Sequence, residues 1–164
     1  LTLLLAQASG LRQRVDNTVA DIGAFSEGKE TSEQGIRLAM YGVTLQIIAE
    51  KPLQGHGVGT WLQEYRARTV GNPINIHLTP HNDYMLYMSE IGLFGLLALV
   101  WILLGLLVHA WRTGGERGMW LGMLTLSLML GATFNAMIRD GVFGMAFMIL
   151  LAIPLSSSMS TMCR

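Results

Sequence analysis

Polar and apolar residues are distributed unevenly along this chain, and long apolar runs dominate its second half. Residues 92–111 and 118–138 each contain almost no charge, and residues 141–155 form a third apolar run. A helix needs about twenty apolar residues to cross a bilayer. The pattern therefore predicts an all-α integral membrane protein with transmembrane helices at about 92–111, 118–138 and 141–158.

The part of the chain before residue 92 is more polar and predicts a large helical loop, over residues 10–91, between membrane segments. Residues 1–9 open with a short apolar run, which we interpret as the end of a truncated transmembrane helix. No charge precedes this run, which argues against a signal peptide. We expect the chain to be the C-terminal part of a larger polytopic protein. Mixed charges over residues 10–30 predict a solvated connector with a short helix at about 15–25.

Two amphipathic helices are predicted within this loop. Thr31 and Gln34 have the spacing of a capping box, which opens a helix that extends to about Glu50. Residues 60–70 predict a second, shorter helix. The apolar residues predicted to form buried faces are Ile36, Met40, Val43 and Ile47, widened by Leu38, Tyr41, Leu45 and Ile48, and then Trp61, Leu62 and Tyr65.

The transition from the loop into the first span contains a candidate base. Thr79 is a good helix N-cap, and Pro80 suits the first helical position. His81 would then lie in the first turn, where the positive helix end favours an anion and disfavours a charged imidazole. A neutral imidazole beside an anion site can act as a general base. A simpler alternative, in which His81 only caps the helix at the interface, stays open.

Arginines in the loop are candidates for binding an anion. Arg37 lies early in the predicted 31–50 helix, where it either reaches water, pairs with a carboxylate or binds a phosphate or diphosphate. The planar guanidinium suits the last task better than a Lys does. Arg66 and Arg68 are either solvated charges or ligands of an anionic headgroup. If Arg37 and His81 act together, their side chains should line one cleft.

Glycines at alternate positions follow the first predicted loop helix: Gly55, Gly57 and Gly59. They mark a tight turn or a close backbone approach, because the flanking sequence lacks the pattern of a phosphate-binding loop. Histidines in the same region match no common zinc spacing, and no Cys lies near them. We therefore expect no metal site.

Composition and charge exclude several classes of partner and set the topology. The formal net charge is zero, so we expect no nucleic-acid partner. The single Cys163 excludes an internal disulfide. The link 109–118 is net basic, and the positive-inside rule places it in the cytoplasm and residues 10–91 outside. Arg139 and Asp140 are expected to pair in an outer turn, with a contribution to an outer-face site as the alternative.

Three ordered segments resemble the O-antigen ligase and polymerase family, over about residues 32–110. They are Gly35-Ile-Arg37-Leu-Ala-Met-Tyr41, then Glu50-Lys-Pro52-Leu-Gln-Gly55-His-Gly57-Val-Gly59 followed by Trp61 and Tyr65, and finally Pro80-His81-Asn82 before Gly92 and Gly95. These are bacterial inner-membrane glycosyltransferases that use undecaprenyl-diphosphate-linked glycans. The resemblance implies a multi-pass, GT-C-like helix bundle whose periplasmic loop carries the site.

The resemblance also implies a reaction. An acceptor hydroxyl would attack the anomeric carbon of the lipid-diphosphate sugar, with inversion and without metal or cofactor. His81 would take the hydroxyl proton, and Arg37 would bind the diphosphate. Residues placed in substrate binding are Tyr41, Gly57, Gly59, Arg66, Arg68 and Asn82. The partners would be the glycan donor, the lipid bilayer and an acceptor that is lipid A-core, a growing glycan or a protein.

Two other function classes make different demands on the chain. A transporter or exporter subunit would need ionisable residues inside its spans, and residues 92–108 and 118–138 have none. A non-catalytic scaffold of the cell envelope would tolerate Ala at both His81 and Arg37.

Overall fold

The computed structural model describes residues 33–71, 74 and 77–162, which fold into helices without a strand. The helices are α1 (Glu33–Glu50), α2 (Trp61–Arg68), α3 (Asp83–Thr113), α4 (Gly115–Phe134) and α5 (Gly141–Met162). Helices α1 and α2 pack beside α3, α4 folds back along α3, and α5 packs against α4. The all-α class is confirmed.

The two helices predicted within the loop are confirmed as α1 and α2. The three predicted spans correspond to α3, α4 and α5, with different bounds. The predictions for residues 1–9, the connector 10–30 and the cap at Thr31 lie outside the described residues, as does Cys163.

The start of α3 differs from the prediction that Thr79 caps it. Asn82 is the N-cap, with a φ of −159° and a ψ of 112°, and its side chain accepts from the backbone N–H of Met85 at 2.9 Å. His81 therefore precedes the helix and does not lie in its first turn. Because His81 has a positive φ of 50°, the backbone turns there and helical geometry begins only beyond Asn82.

Of the helices described, α3 is the one long and apolar enough to cross a membrane, and Gly141–Ser156 is a shorter apolar helix. Large apolar side chains on α3 stay exposed, among them Phe94 (70 %), Trp101 (80 %) and Trp111 (84 %). Exposed apolar surface of this kind marks contact with lipid or with other protein. The spans predicted at α4 and α5 stay predictions.

A compact core forms where α1, α2 and α3 meet. The rings of Trp61 and Tyr65 stack with centroids 4.6 Å apart, and both side chains are buried. The indole N–H of Trp61 donates to Thr44 at 3.1 Å, and the Tyr65 hydroxyl donates to the backbone oxygen of Ile74 at 3.0 Å. Each ring removes roughly 200 Å² from water without leaving its polar group unpaired.

The predicted apolar face of α1 packs on this aromatic pair. Met40 and Ile47 are fully buried, and Ile36 and Val43 pack against the same cluster. Leu45 is the exception, since it is 56 % exposed. The amphipathic predictions for α1 and α2 are thus confirmed in their main positions.

Residues 51–59 cross over a break in α3. At Gly92, φ is 74° and ψ is −161°, which interrupts the helical backbone. Three hydrogen bonds join the crossing loop to the break: His56 N to Ser89 O at 3.0 Å, Gly57 N to Glu90 O at 2.8 Å, and Leu93 N to Pro52 O at 2.8 Å. The loop therefore satisfies backbone groups that the break would leave unpaired.

The crossing is close enough to require glycine on both sides. A Cβ on Gly55 would lie 2.4 Å from the backbone carbonyl of Glu90, and one on Gly92 would lie 2.3 Å from the backbone oxygen of Leu53. Both glycines also have positive φ, which side chains rarely adopt. The close backbone approach predicted from the alternating glycines is confirmed at Gly55.

Candidate active site

A cavity of ≈ 220 Å³ lies where α1 meets the segment that leads into α3. The described residues that line it are Ile36, Arg37, His77 and His81. The structure therefore brings the predicted base and the predicted diphosphate ligand to one cavity, although they come from distant parts of the chain.

His81 has a strained backbone. Its φ of 50° makes it the one non-glycine residue in the described part of the chain with a positive φ. Such a conformation costs of order 1–3 kcal/mol and persists only where surrounding contacts impose it. Pro80 beside it is buried, and the Tyr41 hydroxyl lies 3.5 Å from the His81 backbone oxygen. Strain of this kind is concentrated at functional sites.

The imidazole of His81 is held by a side chain that sequence analysis missed. His81 Nδ1 lies 3.1 Å from Asn135 Oδ1, just after α4. The same oxygen accepts the backbone N–H of Ala136 at 2.9 Å, which identifies it as the oxygen of the amide. Asn135 fell inside the predicted span 118–138, and a polar residue near the end of an apolar run was the available signal.

His77 lines another side of the cavity. Its ring meets that of His81 edge-on, with centroids 6.0 Å apart. Burial lowers the pKa of His77, and the nearby charges of His81 and Arg37 lower it further. Its Nε2 is buried and, among the described residues, has no hydrogen-bond partner.

Arg37 supplies the positive charge of this cavity. It is exposed on α1, where its guanidinium is accessible to a ligand. A cation beside imidazoles suits an anionic ligand together with a hydroxyl that gives up its proton.

A sequence model of the O-antigen ligase family matches residues 1–100, which is more than half of the chain. The chain belongs to the O-antigen ligase family. The match includes Arg37, the alternating glycines and His81, and it ends within α3. A comparison with proteins of curated function finds no match.

Membership in the O-antigen ligase family has general consequences for activity. It implies a membrane-associated enzyme of the glycosyltransferase type that acts in lipopolysaccharide biosynthesis. A lipid-linked glycan donor and a glycan acceptor follow in general terms. The resemblance inferred from the three ordered segments is therefore confirmed.

Two of the substrate-binding candidates in this O-antigen ligase family member hold the segment around His81. Asn82 caps α3 and donates through Nδ2 to the backbone oxygen of Thr133 at 3.0 Å. Tyr41 contacts the backbone of His81, as described above. Both residues therefore support the geometry of His81, and direct contact with substrate stays a prediction.

Arg68 is not among the residues that line the Arg37–His81 cavity. Its guanidinium binds both carboxylate oxygens of Glu50, at 2.7 and 2.6 Å, and one oxygen of Glu64 at 2.7 Å. The hydrogen bond from Arg68 lowers the pKa of the Glu64 carboxyl, and the carboxylates of Glu50 and Glu64 raise the pKa of Arg68. Arg66 is exposed on α2. In this structure Arg68 joins α2 to the end of α1.

A second cavity, of ≈ 260 Å³, lies beside the glycine loop. The described residues that line it are Val58, Gly59, Leu86, Tyr87, Glu90, Ile91 and Arg139. Gly57 is next to it, with its N–H engaged by the Glu90 backbone oxygen. The two glycines assigned to substrate binding therefore lie at or beside this cavity and not among the described lining of the cavity of Arg37 and His81.

The predicted pair of Arg139 and Asp140 is wrong. Arg139 donates to the carboxylate of Glu90 at 2.6 Å, and Asp140 caps the start of α5 by accepting the backbone N–H groups of Val142 and Phe143, each at 2.9 Å. Glu90 is buried and requires a charged partner, whereas an Asp is stabilised at a helix N-terminus. Each residue therefore has a better partner than its neighbour.

Other features of the described structure do not extend the site. His56 bonds through Nε2 to the backbone oxygen of Ile47 at 2.9 Å and is part of the loop packing. No three His, Cys, Asp or Glu residues in the described part are placed to hold a metal, and metal independence stays a prediction. A larger cavity, of ≈ 560 Å³, lies between α4 and α5, but its lining is mainly apolar and contains no candidate base. The chemistry favours the smaller cavity.

Proposed function

We propose that this protein transfers a glycan from an undecaprenyl-diphosphate carrier to an acceptor hydroxyl, with His81 as general base and Arg37 as ligand of the diphosphate. The observation that carries the proposal is the single cavity that both residues line. The strained backbone of His81 supports it, because strain is retained where function requires a fixed side chain.

The proposed step needs one proton acceptor and one cation. The acceptor hydroxyl gives its proton to Nε2 of His81 while its oxygen bonds to the anomeric carbon with inversion. The bond from that carbon to the diphosphate oxygen breaks, and the leaving diphosphate takes the electron pair. Arg37 stabilises the negative charge that grows there, and no metal takes part.

The size of the cavity limits what it encloses. At ≈ 220 Å³ it is smaller than the roughly 300–1,000 Å³ of a pocket for a whole drug-sized ligand. Only the reacting part of the donor, the diphosphate and the adjacent sugar, would therefore enter. The polyprenyl chain would lie along the exposed apolar surface of α3.

The proposed setting is the bacterial inner membrane, with α3, α4 and α5 as spans of a polytopic GT-C-like bundle. The exposed apolar side chains on α3 support contact with lipid. The net basic link 109–118 would face the cytoplasm, and the cavity would then lie on the periplasmic face. The acceptor, whether lipid A-core, a growing glycan or a protein, is not specified by these residues.

The test is transfer by the full-length protein in proteoliposomes, with an undecaprenyl-diphosphate-linked glycan and each acceptor class in turn. His81→Asn removes the base but keeps a residue type that tolerates positive φ. It should lower the rate roughly a hundredfold or more. His109→Asn, near the other end of α3, is the matched control and should leave the rate unchanged. Wild-type transfer by His81→Asn would overturn the proposal.

A further inference from the structure

We infer that Asn135 is a positioning residue for His81, whose side-chain oxygen holds the imidazole in the tautomer that leaves Nε2 able to accept a proton. The inference rests on the proposed role of His81 as base. It assigns a role to a residue that lies beyond the region matched by the family model, which ends at residue 100.

The orientation of the Asn135 amide follows from its donors. The backbone N–H of Ala136 can only donate, and it points at the side-chain atom of Asn135 that also meets His81, at 2.9 Å. That atom is therefore the carbonyl oxygen. An oxygen cannot donate, so Nδ1 of His81 carries the hydrogen in the 3.1 Å contact. In the neutral ring the lone pair is then on Nε2.

Asn135 is itself held in place by the end of α4. It is the C-cap residue, with extended backbone angles, and its N–H donates to the Gly131 backbone oxygen at 2.9 Å. The next residue, Ala136, is buried in the core cluster shared by α1, α2 and α3. The amide oxygen thus reaches His81 from a fixed backbone, as positioning requires.

Three consecutive residues contact the end of α4 and the connection from α4 to α5. His81 meets Asn135, Asn82 donates to the Thr133 backbone oxygen at 3.0 Å, and Asp83 accepts the backbone N–H of Ile138 at 2.9 Å. His81 and both residues that follow it are therefore held by residues 133–138. The α4–α5 connection belongs to the site as its support.

A neutral amide at this position orients the ring without favouring its charged form. Histidine accepts a proton only in its neutral form, and a carboxylate on Nδ1 would stabilise the charged imidazolium. Among the described residues, the titratable groups near His81 are Arg37 and Tyr41 on α1 and His77 before α3, while Asp83 is turned toward the backbone of Ile138. Asn135 orients the ring without adding a negative charge.

The experiment compares Asn135→Ala, Asn135→Asp and Thr133→Ala in the full-length protein in proteoliposomes, with kcat, the KM for the donor and the pH profile as readouts. Asn135→Ala removes the acceptor and should lower kcat at least about tenfold, with KM for the donor unchanged. Asn135→Asp keeps the acceptor oxygen but adds charge. The acid limb of its pH profile should move to higher pH by about one unit, because the added carboxylate stabilises the protonated ring of His81.

Thr133→Ala is the control, because the hydrogen bond of its hydroxyl found among the described residues goes to the Met129 backbone oxygen within α4, and its own backbone oxygen is retained. Its kcat and pH profile should match the wild type. Two results would overturn the inference while the proposed function stands: normal kcat in Asn135→Ala, or an unmoved acid limb in Asn135→Asp. Full activity of His81→Asn would instead remove the proposed function, and this inference with it.

Discussion

Arg37 on α1 and His81 before α3 line the same cavity, which joins a permanent positive charge to a potential proton acceptor. Helical periodicity does not predict this pairing, because Arg37 lies on α1 and His81 lies before α3. Their meeting depends on how α1 packs across the start of α3, and variants of each side chain separate the two roles.

Replacing Arg37 should affect both donor binding and the chemical step. Arg37→Ala should raise the KM for the donor and lower kcat, because in the proposed reaction the guanidinium contacts a diphosphate whose charge grows as the bond breaks. Arg37→Lys should not restore activity, since one ammonium cannot reproduce a two-pronged contact. Arg112→Ala, at the other end of α3, removes the same charge and should leave kcat and the KM for the donor unchanged. Rescue by Lys would contradict the bidentate contact.

Replacing His81 by glycine should separate stability from activity. The φ of 50° is strained for histidine and free for glycine, so His81→Gly should raise the stability by about 1 kcal/mol relative to His81→Ala. Both variants should lose transfer activity. Thermal unfolding of the two purified variants in one detergent measures the difference. Equal or reversed melting temperatures would show that the backbone strain is relieved elsewhere.

His77 should make the protein less stable in mild acid. Since burial and positive neighbours lower the pKa of His77 in the folded protein, the unfolded chain binds that proton more tightly. The stability contributed by the neutral ring is complete above its ordinary value of about 6.5 and is lost as the pH falls below it. The apparent melting temperature should fall less steeply from about pH 7 to about pH 5.5 in His77→Asn. His109→Asn is the control and should keep the wild-type slope. The same slope in His77→Asn would contradict this prediction.

The crossing at Gly92 should tolerate no side chain. Gly55→Ala and Gly92→Ala each place a Cβ within 2.4 Å of backbone atoms at a positive φ, so each should cost more than about 2 kcal/mol. Gly71→Ala is the control, because φ there is also positive, at 76°, but no atom of the described residues beyond its chain neighbours lies within 4 Å of the added carbon. Its cost should be about 1 kcal/mol. Similar losses in all three would assign the effect to φ alone.

Transfer should continue after divalent metals are removed. The described loop residues offer no cluster of ligands, and Arg37 can supply the charge that a metal would otherwise provide. Activity in proteoliposomes should therefore be the same with and without EDTA. Loss of transfer in EDTA that one added metal restores would count decisively against the proposed reaction.

The sequence predicted elements better than it predicted contacts between distant residues. Helical periodicity located α1 and α2, and apolar content located α3, because both signals are local. The N-cap was misplaced because Thr79 and Asn82 are both suitable caps, and the choice depends on the turn at His81. Asn135 and Glu90 were not singled out, since their partners lie far away in the chain. Local patterns carry no information about such pairs.

The loop that crosses α3 at Gly92 has a mechanical consequence. It forms hydrogen bonds to Ser89 and Glu90 on one side of the break and to Leu93 on the other, so it holds the two halves of the helix together. A broken helix would ordinarily act as a hinge, but these bonds fix the angle between its two halves. With α3 across a bilayer, the turn that bears His81 stands about 14 Å along the helix from the break. The distance between the break and His81 is then set by the polypeptide itself, whatever the thickness of the bilayer around the helix.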